Sequence, residues 1–172
     1  MDKIGIIITA RMTSERLRNK IFAQFRGKRI IDHVIDNAKK LGYPVILSIP
    51  EKSDNDELEI YCKINHITYY RGFEYDVLSR VLNTARKYNI DIIIKLGADS
   101  PLTEPDDIMD NIVKFLDENK RRMIWGMNSF IFTTDMLEEV EKNSTHADDR
   151  EHTGFHYMTN TIDYQDDIDR LE

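Results

Sequence analysis

The chain has 172 residues, with 31 Asp and Glu against 24 Lys and Arg and a formal charge of -7, and its isoelectric point is near 5.3. This length suits one domain of roughly 100–200 residues, able to enclose a core without metal or disulfide staples. The acidic balance argues against a nucleic-acid partner, since electrostatic capture of nucleic acid needs a basic face to displace counterions.

The first eight residues, Met1-Asp2-Lys3-Ile4-Gly5-Ile6-Ile7-Ile8, hold an apolar run far too short for a membrane span and no small-residue cleavage site. They predict a buried strand and no membrane partner. Residues 4–9 are a β-branched run of the kind found in parallel strands covered on both faces, and a polar loop over 10–20 follows. Over 30–41, Ile30, Ile31, Val34, Ile35, Ala38 and Leu41 recur at helical spacing, with Gly42 placed to stop the helix. Pro44 leads into a strand over 45–49. A helix is expected over 54–65 with Leu58, Tyr61, Cys62 and Ile64 inward, then a short strand over 67–70 that Gly72 breaks.

Next come a helix over 75–88, with Val77, Leu78, Val81, Leu82 and Ala85 on one side, and an apolar strand over 91–96 closed by the loop Gly97-Ala98-Asp99-Ser100-Pro101. Pro105 suits a first helical turn, where its missing N–H costs nothing, and Ile108, Ile112, Phe115 and Leu116 supply the stripe of a helix ending near 119. Strands over 123–127 and 129–133, a helix over 134–142, and a loop entering a helix over 148–158 complete the pattern. Residues 163–172 are acidic, and the reading divides the chain into one domain over 1–160 and an acidic tail over 161–172.

Strands alternating with helices predict an α/β fold with a mostly parallel sheet and helices on both faces. In such sheets ligands gather at the strand carboxyl ends, where both polar loops fall. The lone cysteine, Cys62, has no intrachain partner for a disulfide, so an intracellular, cytoplasmic setting is expected with the thiol as a packing group.

Arg11, Arg16, Arg18 and Lys20 share the first loop of an otherwise acidic chain. Guanidinium and ammonium groups bind phosphate oxygens by charge-assisted hydrogen bonds, which loop N–H groups and small hydroxyls supplement. The plainer alternative is a solvated basic loop.

The stretch Ala10-Arg11-Met12-Thr13-Ser14-Glu15-Arg16-Leu17-Arg18-Asn19-Lys20 resembles the opening of the cytidylyltransferases related to SpsF and to CMP-Kdo and CMP-acylneuraminate synthetases, whose pattern is approximately A-R-x-G-S-x-R-L-P-G-K. Ala10, Arg11, Ser14, Arg16, Leu17 and Lys20 match it; Thr13 stands in place of glycine and Arg18-Asn19 in place of Pro-Gly. Glycine permits close backbone approach to phosphates, so this loop departs from the pattern where it bears on nucleotide binding. The segment Gly27-Lys28-Arg29-Ile30-Ile31-Asp32-His33-Val34 is similar to the family's G-K-P-L-x-x-H-V, with His33 read as a structural helix residue. Tyr70-Arg71-Gly72-Phe73-Glu74-Tyr75-Asp76-Val77-Leu78-Ser79-Arg80 looks like F-R-G-x-x-x-D-V-L-x-R, and Gly97-Ala98-Asp99-Ser100-Pro101-Leu102 resembles G-D-x-P-L. Asp148-Asp149-Arg150-Glu151-His152-Thr153 resembles R-E-H-V-T.

The resemblance implies the three-layer, Rossmann-like GT-A fold of nucleotide-diphospho-sugar transferases, housed in a single nucleotidyltransferase domain. It implies transfer of CMP from CTP to a sugar or sugar acid, with pyrophosphate released, for polysaccharide or glycan synthesis. The nucleotide-binding positions it implies are Ala10, Arg11, Met12, Ser14, Arg16, Lys20, Arg71, Gly72 and Asp76, with Arg11, Lys20 and Asp99 in catalysis. Arg150 and His152 would contact the sugar or a phosphate. A Mg²⁺ ion would sit on Asp99, with Asp149 or Glu151, the latter preferred, as second carboxylate; a hard cation of this kind bridges triphosphate oxygens. Alternatives are Asp99 as a turn-capping aspartate and Asp76 as a helix first-turn residue. A homodimer is a further expectation from the resemblance.

Two other functions stay open at this point. One is a nucleotide-binding partner or regulatory protein without turnover, suggested by the altered loop and a chain short for the family, the shortening falling between 123 and 148. The other is a glycosyltransferase using a finished nucleotide-sugar, although Asp99 lacks the D-x-D partner such enzymes present. His152 and His156 could share a helix face with His146 nearby for zinc, but Glu151 precedes His152 rather than following it, against the metalloprotease pattern.

Overall fold

A computed structural model describes residues 2–13, 19–119, 123–126, 128–145, 147–154 and 158. The isoleucine run forms β1 (Ile4–Thr9) at the centre of a six-stranded sheet. After the first loop, a 3-10 turn over Lys20–Phe22 leads to a small antiparallel hairpin, β2 (Gln24–Phe25) and β3 (Lys28–Arg29). Arg26 and Gly27 make its turn with φ of 46° and 83°, the paired positive dihedrals of a two-residue turn matched to strand twist. The sequence did not announce this hairpin, because strands of two residues carry no periodicity.

Helix α1 (Ile30–Lys40) follows and stops where Gly42 takes φ 77°. Then come β4 (Val45–Pro50), α2 (Asp56–Ile64), β5 (Thr68–Gly72), α3 (Val77–Tyr88), β6 (Ile92–Gly97) and α4 (Pro105–Asp117). The described chain closes with β7 (Ile124–Gly126), β8 (Ser129–Thr133), α5 (Thr134–Asn143) and α6 (Ala147–Glu151). Strand order is β5-β4-β1-β6-β8-β7. The first four of these strands are parallel, and β8 and β7 join antiparallel. The acidic tail at 161–172 lies outside the described residues, as does Met127 at the end of the expected strand over 123–127.

Alternate residues of each strand feed two apolar layers. Ile6, Ile8, Leu47, Ile94 and Leu96 pack with Val34, Leu58, Ile112 and Phe115 from α1, α2 and α4. Ile7, Ile46, Ile93 and Phe132 pack with Leu78, Val81 and Leu82 of α3 and Leu137 and Val140 of α5 on the other face. The result is the three-layer α/β arrangement with a mostly parallel sheet.

Two expected core residues lie outside. Ile64 is 70% exposed and Leu116 40%. Each sits beside the stripe, not on it, in its helix's last turn, where Leu58, Tyr61 and Cys62, or Ile108, Ile112 and Phe115, have already fixed the buried face. Gly72 ends β5 and does not interrupt it. Burial pushes the Cys62 thiol up to about 12, as suits a packing group.

Candidate active site

Sheet register places the site. Thr9, the last residue of β1, lies opposite Gly97, the last of β6, so the loops after these strands leave the sheet side by side. The chain runs outward from β1 through β4 to β5, then returns to place β6 on the other flank of β1. This reversal is the position at which open α/β sheets leave a crevice beyond the strand carboxyl ends.

A cavity of about 320 Å³ occupies that position. Ala10, Arg11 and Lys20 come to it from the first loop and its end, and Asp99 from the loop after β6. Lys20 and Asp99 form an ion pair at 2.9 Å, with side chains 40% and 51% exposed. Glu151 and His152 reach the same cavity from the end of α6 and the turn after it. Of the residues read from sequence, Ala10, Arg11, Lys20, Asp99, Glu151 and His152 thus converge at one rim of the sheet.

The described ends of the first loop are anchored. The Met12 N–H donates to Asn55 Oδ1 at 2.9 Å, the Thr13 hydroxyl donates to Glu74 Oε1 at 2.8 Å, and the Asn19 N–H donates to the Met12 carbonyl at 3.2 Å. Thr13, which replaces the glycine of the family pattern, therefore ties the loop to the segment ahead of α3. Met12 itself is buried at 3% exposure and does not line the cavity. Ser14 and Arg16 lie outside the described residues.

Three other expected binding residues are employed elsewhere. Arg71 turns its guanidinium to Glu59 and to Asp56 at 2.8 Å, and donates to the carbonyls of Pro50 at 3.2 Å, Glu51 at 2.9 Å and Lys52 at 3.0 Å. It pins β5 to the start of α2. Gly72 makes room: a Cβ there would come within 3.1 Å of Arg80 Cγ and 2.9 Å of the Tyr70 ring. Asp76 caps α3 by accepting from the Ser79 N–H at 2.9 Å, and it pairs with Arg150 at 3.2 Å, so Arg150 joins α6 to α3 without lining the cavity. Asp149 is buried and accepts from the Ser144 hydroxyl, which leaves Glu151 as the α6 carboxylate at the cavity. His33 lies with Nε2 2.7 Å from the Phe25 carbonyl, holding α1 to the hairpin. His146 and His156 fall outside the described residues, among which no group of three His, Cys, Asp or Glu gathers for a metal.

Sequence reasoning missed two cavity cations, Arg80 of α3 and Lys95 of β6. Arg80 is 2% exposed and donates to the carbonyls of Phe73 at 2.6 Å and Glu74 at 3.0 Å. Burial, with a smaller push from Arg11, brings its pKa down to about 10. Burial, and then the neighbouring Arg80, brings Lys95 down to about 8. One signal was available: a lysine inside the run Ile-Ile-Ile-Lys-Leu of a central parallel strand has to face a packed layer or a ligand.

The six-stranded, mostly parallel sheet flanked by helices is the nucleotidyltransferase fold of the solved structures it resembles. The sequence profile of the cytidylyltransferase family matches residues 5–170, and the chain belongs to that family. A cytidylyltransferase from Leptospira borgpetersenii superposes with a TM-score of 0.83 at 31% identity, over 94% of this chain and 73% of the other. A CMP:2-keto-3-deoxy-manno-octonic acid synthetase solved with CTP shares the fold, with a TM-score of 0.71 at 15% identity over 92% and 86%. In sequence, the uncharacterized protein MJ1063 of Methanocaldococcus jannaschii is 33% identical over 87% of this chain and 65% of its own length. The spore coat polysaccharide biosynthesis protein SpsF of Bacillus subtilis is 27% identical over 63% and 49%, respectively. The 3-deoxy-manno-octulosonate cytidylyltransferase of Wigglesworthia glossinidia brevipalpis is 32% identical over 66% and 47%. The chain thus spans between about half and two thirds of the length of these curated relatives. Among the described residues no helix is long and apolar enough to cross a membrane.

Proposed function

We propose that this protein transfers CMP from CTP to a sugar or sugar acid. The observation that carries this reading is the convergence of Arg11, Lys20 and Asp99 on one cavity at the switch point of a cytidylyltransferase-family sheet. Arg11 and Lys20 bind triphosphate oxygens, and the acceptor's hydroxyl or phosphate oxygen attacks the α-phosphorus along the line of the leaving pyrophosphate. The P–O bond to the β-phosphate breaks as the new P–O bond forms, and the acceptor's proton, where it has one, passes to solvent or to a base at the cleft. Rate enhancement on this scheme comes from alignment and from cations placed where negative charge develops.

The donor chemistry fits Mg²⁺: Asp99 and Glu151 offer hard carboxylate oxygens at one cavity, and such an ion takes only one or two protein carboxylates and fills its shell with phosphate oxygens and water. Bound there, it would supply charge neutralisation on the triphosphate. Lys20 would release Asp99 to it and turn to the phosphates.

The test is pyrophosphate release with each of the four nucleoside triphosphates, Mg²⁺ and a panel of neutral, acidic and phosphorylated sugars. Release with CTP and one acceptor class supports the assignment. CTP binding by calorimetry with no release from any combination would replace it with the nucleotide-binding partner reading.

A further inference from the structure

The floor of the cleft carries more positive charge than its own carboxylates neutralise. Lys95 points from β6 to the same face as Ile93, towards α3, and its ammonium lies 4.9 Å from the centroid of the Phe130 ring. It makes no ion pair or side-chain hydrogen bond among the described residues. Arg80, packed against it from α3, spends one guanidinium nitrogen on two carbonyls and leaves a buried Nε without a partner among the described residues. The carboxylates nearest Arg80 are committed. Glu74 is paired with Lys52 at 2.9 Å and accepts from Thr13, and Asp76 caps α3 and holds Arg150. From the first loop Arg11 adds a third cation, and from α6 the cavity receives Glu151 and His152. The ion pair of Lys20 and Asp99 is internally neutral. Like charges in a poorly solvated pocket, each disfavouring the other's charged form, are costly unless something negative completes them.

We propose that Arg80 and Lys95 form an oxyanion subsite on the floor of the cleft, filled by an anionic group of a ligand, a phosphate of the nucleotide or the carboxylate or phosphate of the acceptor. The inference rests on reading this cleft as the nucleotide site, and it adds to that site Arg80, the last residue of the D-V-L-x-R element, and Lys95, which lies in no motif. An oxyanion there accepts from the free Arg80 Nε–H and from the Lys95 ammonium, ending both the unpaired donor and the mutual repulsion. Gly72 supports the arrangement by leaving the space through which the Arg80 stem reaches the cleft.

The experiment reads the Lys95 ammonium by ¹⁵N NMR of lysine-labelled, metal-free protein, assigned with Lys95→Arg, and needs no turnover. Its titration midpoint is expected at about 8 in sodium chloride and to climb towards the ordinary lysine value of 10.5 in sodium sulfate at equal ionic strength. In Arg80→Gln the climb shrinks to less than half. CTP is the second arm. If CTP raises the midpoint and sulfate competes with it, the subsite is confirmed with the nucleotide as source. If sulfate raises the midpoint and binds alongside CTP, the subsite is confirmed with the acceptor as source. Superimposable titration curves in chloride, sulfate and CTP would overturn the proposal. Because the readout is proton binding at one amine, an enzyme inactive in the pyrophosphate assay can still pass, and an active one can still fail.

Discussion

Asp76 offers the sharpest separation between what a motif suggests and what the fold does with a residue. The motif reading makes it a nucleotide contact, whereas the geometry makes it the cap of α3 and the partner of Arg150. In Asp76→Ala the Ser79 N–H loses its acceptor, which costs about 1 kcal/mol for a helix N-cap. The ion pair, with side chains 38% and 32% exposed, contributes about 0.5 kcal/mol more. The sum of about 1.5 kcal/mol corresponds to a fall in Tm of about 3–6 °C for a chain of this size. Asp76→Asn keeps a capping oxygen and removes the charge, so it is expected to lose only the ion-pair part, about 0.5 kcal/mol. Urea denaturation of both variants beside calorimetric CTP titration separates the readings. An Asp76→Ala protein of unchanged stability with CTP affinity reduced tenfold or more would refute the structural assignment.

Three further outcomes follow from the same geometry. Lys95→Met is expected to stabilise the protein most at neutral pH. Because burial lowers the Lys95 pKa to about 8, the folded state binds this proton less tightly than the unfolded one, so the penalty is full below pH 8 and disappears as pH rises towards 10.5. The wild-type deficit relative to the variant, about 3 kcal/mol at pH 7, should therefore shrink by pH 10 in urea melts; a pH-independent difference would count against the burial argument. Arg71→Ala should lower stability by roughly 2–3 kcal/mol through the lost charged hydrogen bonds while leaving CTP affinity within twofold, and calorimetry on the folded variant decides this. Asp99→Asn should remove Mg²⁺-dependent pyrophosphate release while CTP binding without metal persists; retained release would transfer the metal role to another carboxylate.

Periodicity revealed the scaffold because burial is written into it. A run such as Ile6-Ile7-Ile8 has no face to give to water, and the stripe from Ile31 to Ala38 fits only one side of a helix, so β1 and α1 could be read directly. The strands on either side of β1 were legible as elements, but their order was not. That β6 lies against β1 depends on crossovers packing over opposite faces, which no local pattern records. Local signals failed where few residues carried the element, as in the hairpin around Gly27, and where an apolar residue fell beside a stripe, as with Ile64 and Leu116. Motif matching picked out the rim of the cavity, Arg11, Lys20 and Asp99, since these lie on or beside loops whose length and composition are unusual. It also nominated Arg71 and Asp76 of the β5–α3 segment, which carry the charge of ligand contacts but spend it on the backbone and on neighbouring side chains. It covered Arg80 as the last residue of the D-V-L-x-R element without giving it a role, and it passed over Lys95, whose charge is concealed inside a strand.

On the proposed function, the Lys20–Asp99 pair lets an acidic protein keep a site for a polyanion, because a lysine already neutralises one of the cavity's carboxylates. Both side chains are about half exposed, and an ion pair in such surroundings contributes no more than about 1 kcal/mol, so separating them costs little. On the proposed function, each member of the pair would exchange one opposite charge for a stronger one when a triphosphate and a divalent cation bind, ammonium to phosphate and carboxylate to metal. The cleft's charge balance is then carried by the ligands. Arg80 and Lys95 lack this provision. Among the described residues the carboxylates nearest Arg80, Glu74 and Asp76, are held by other partners, and the pKa values of Arg80 and Lys95 are depressed in the free protein. The rim can therefore rest neutral and open, while the floor stays under electrostatic tension until an oxyanion reaches it. Ligand binding on this account is strongest for species that bring negative charge to both levels of the cleft at once.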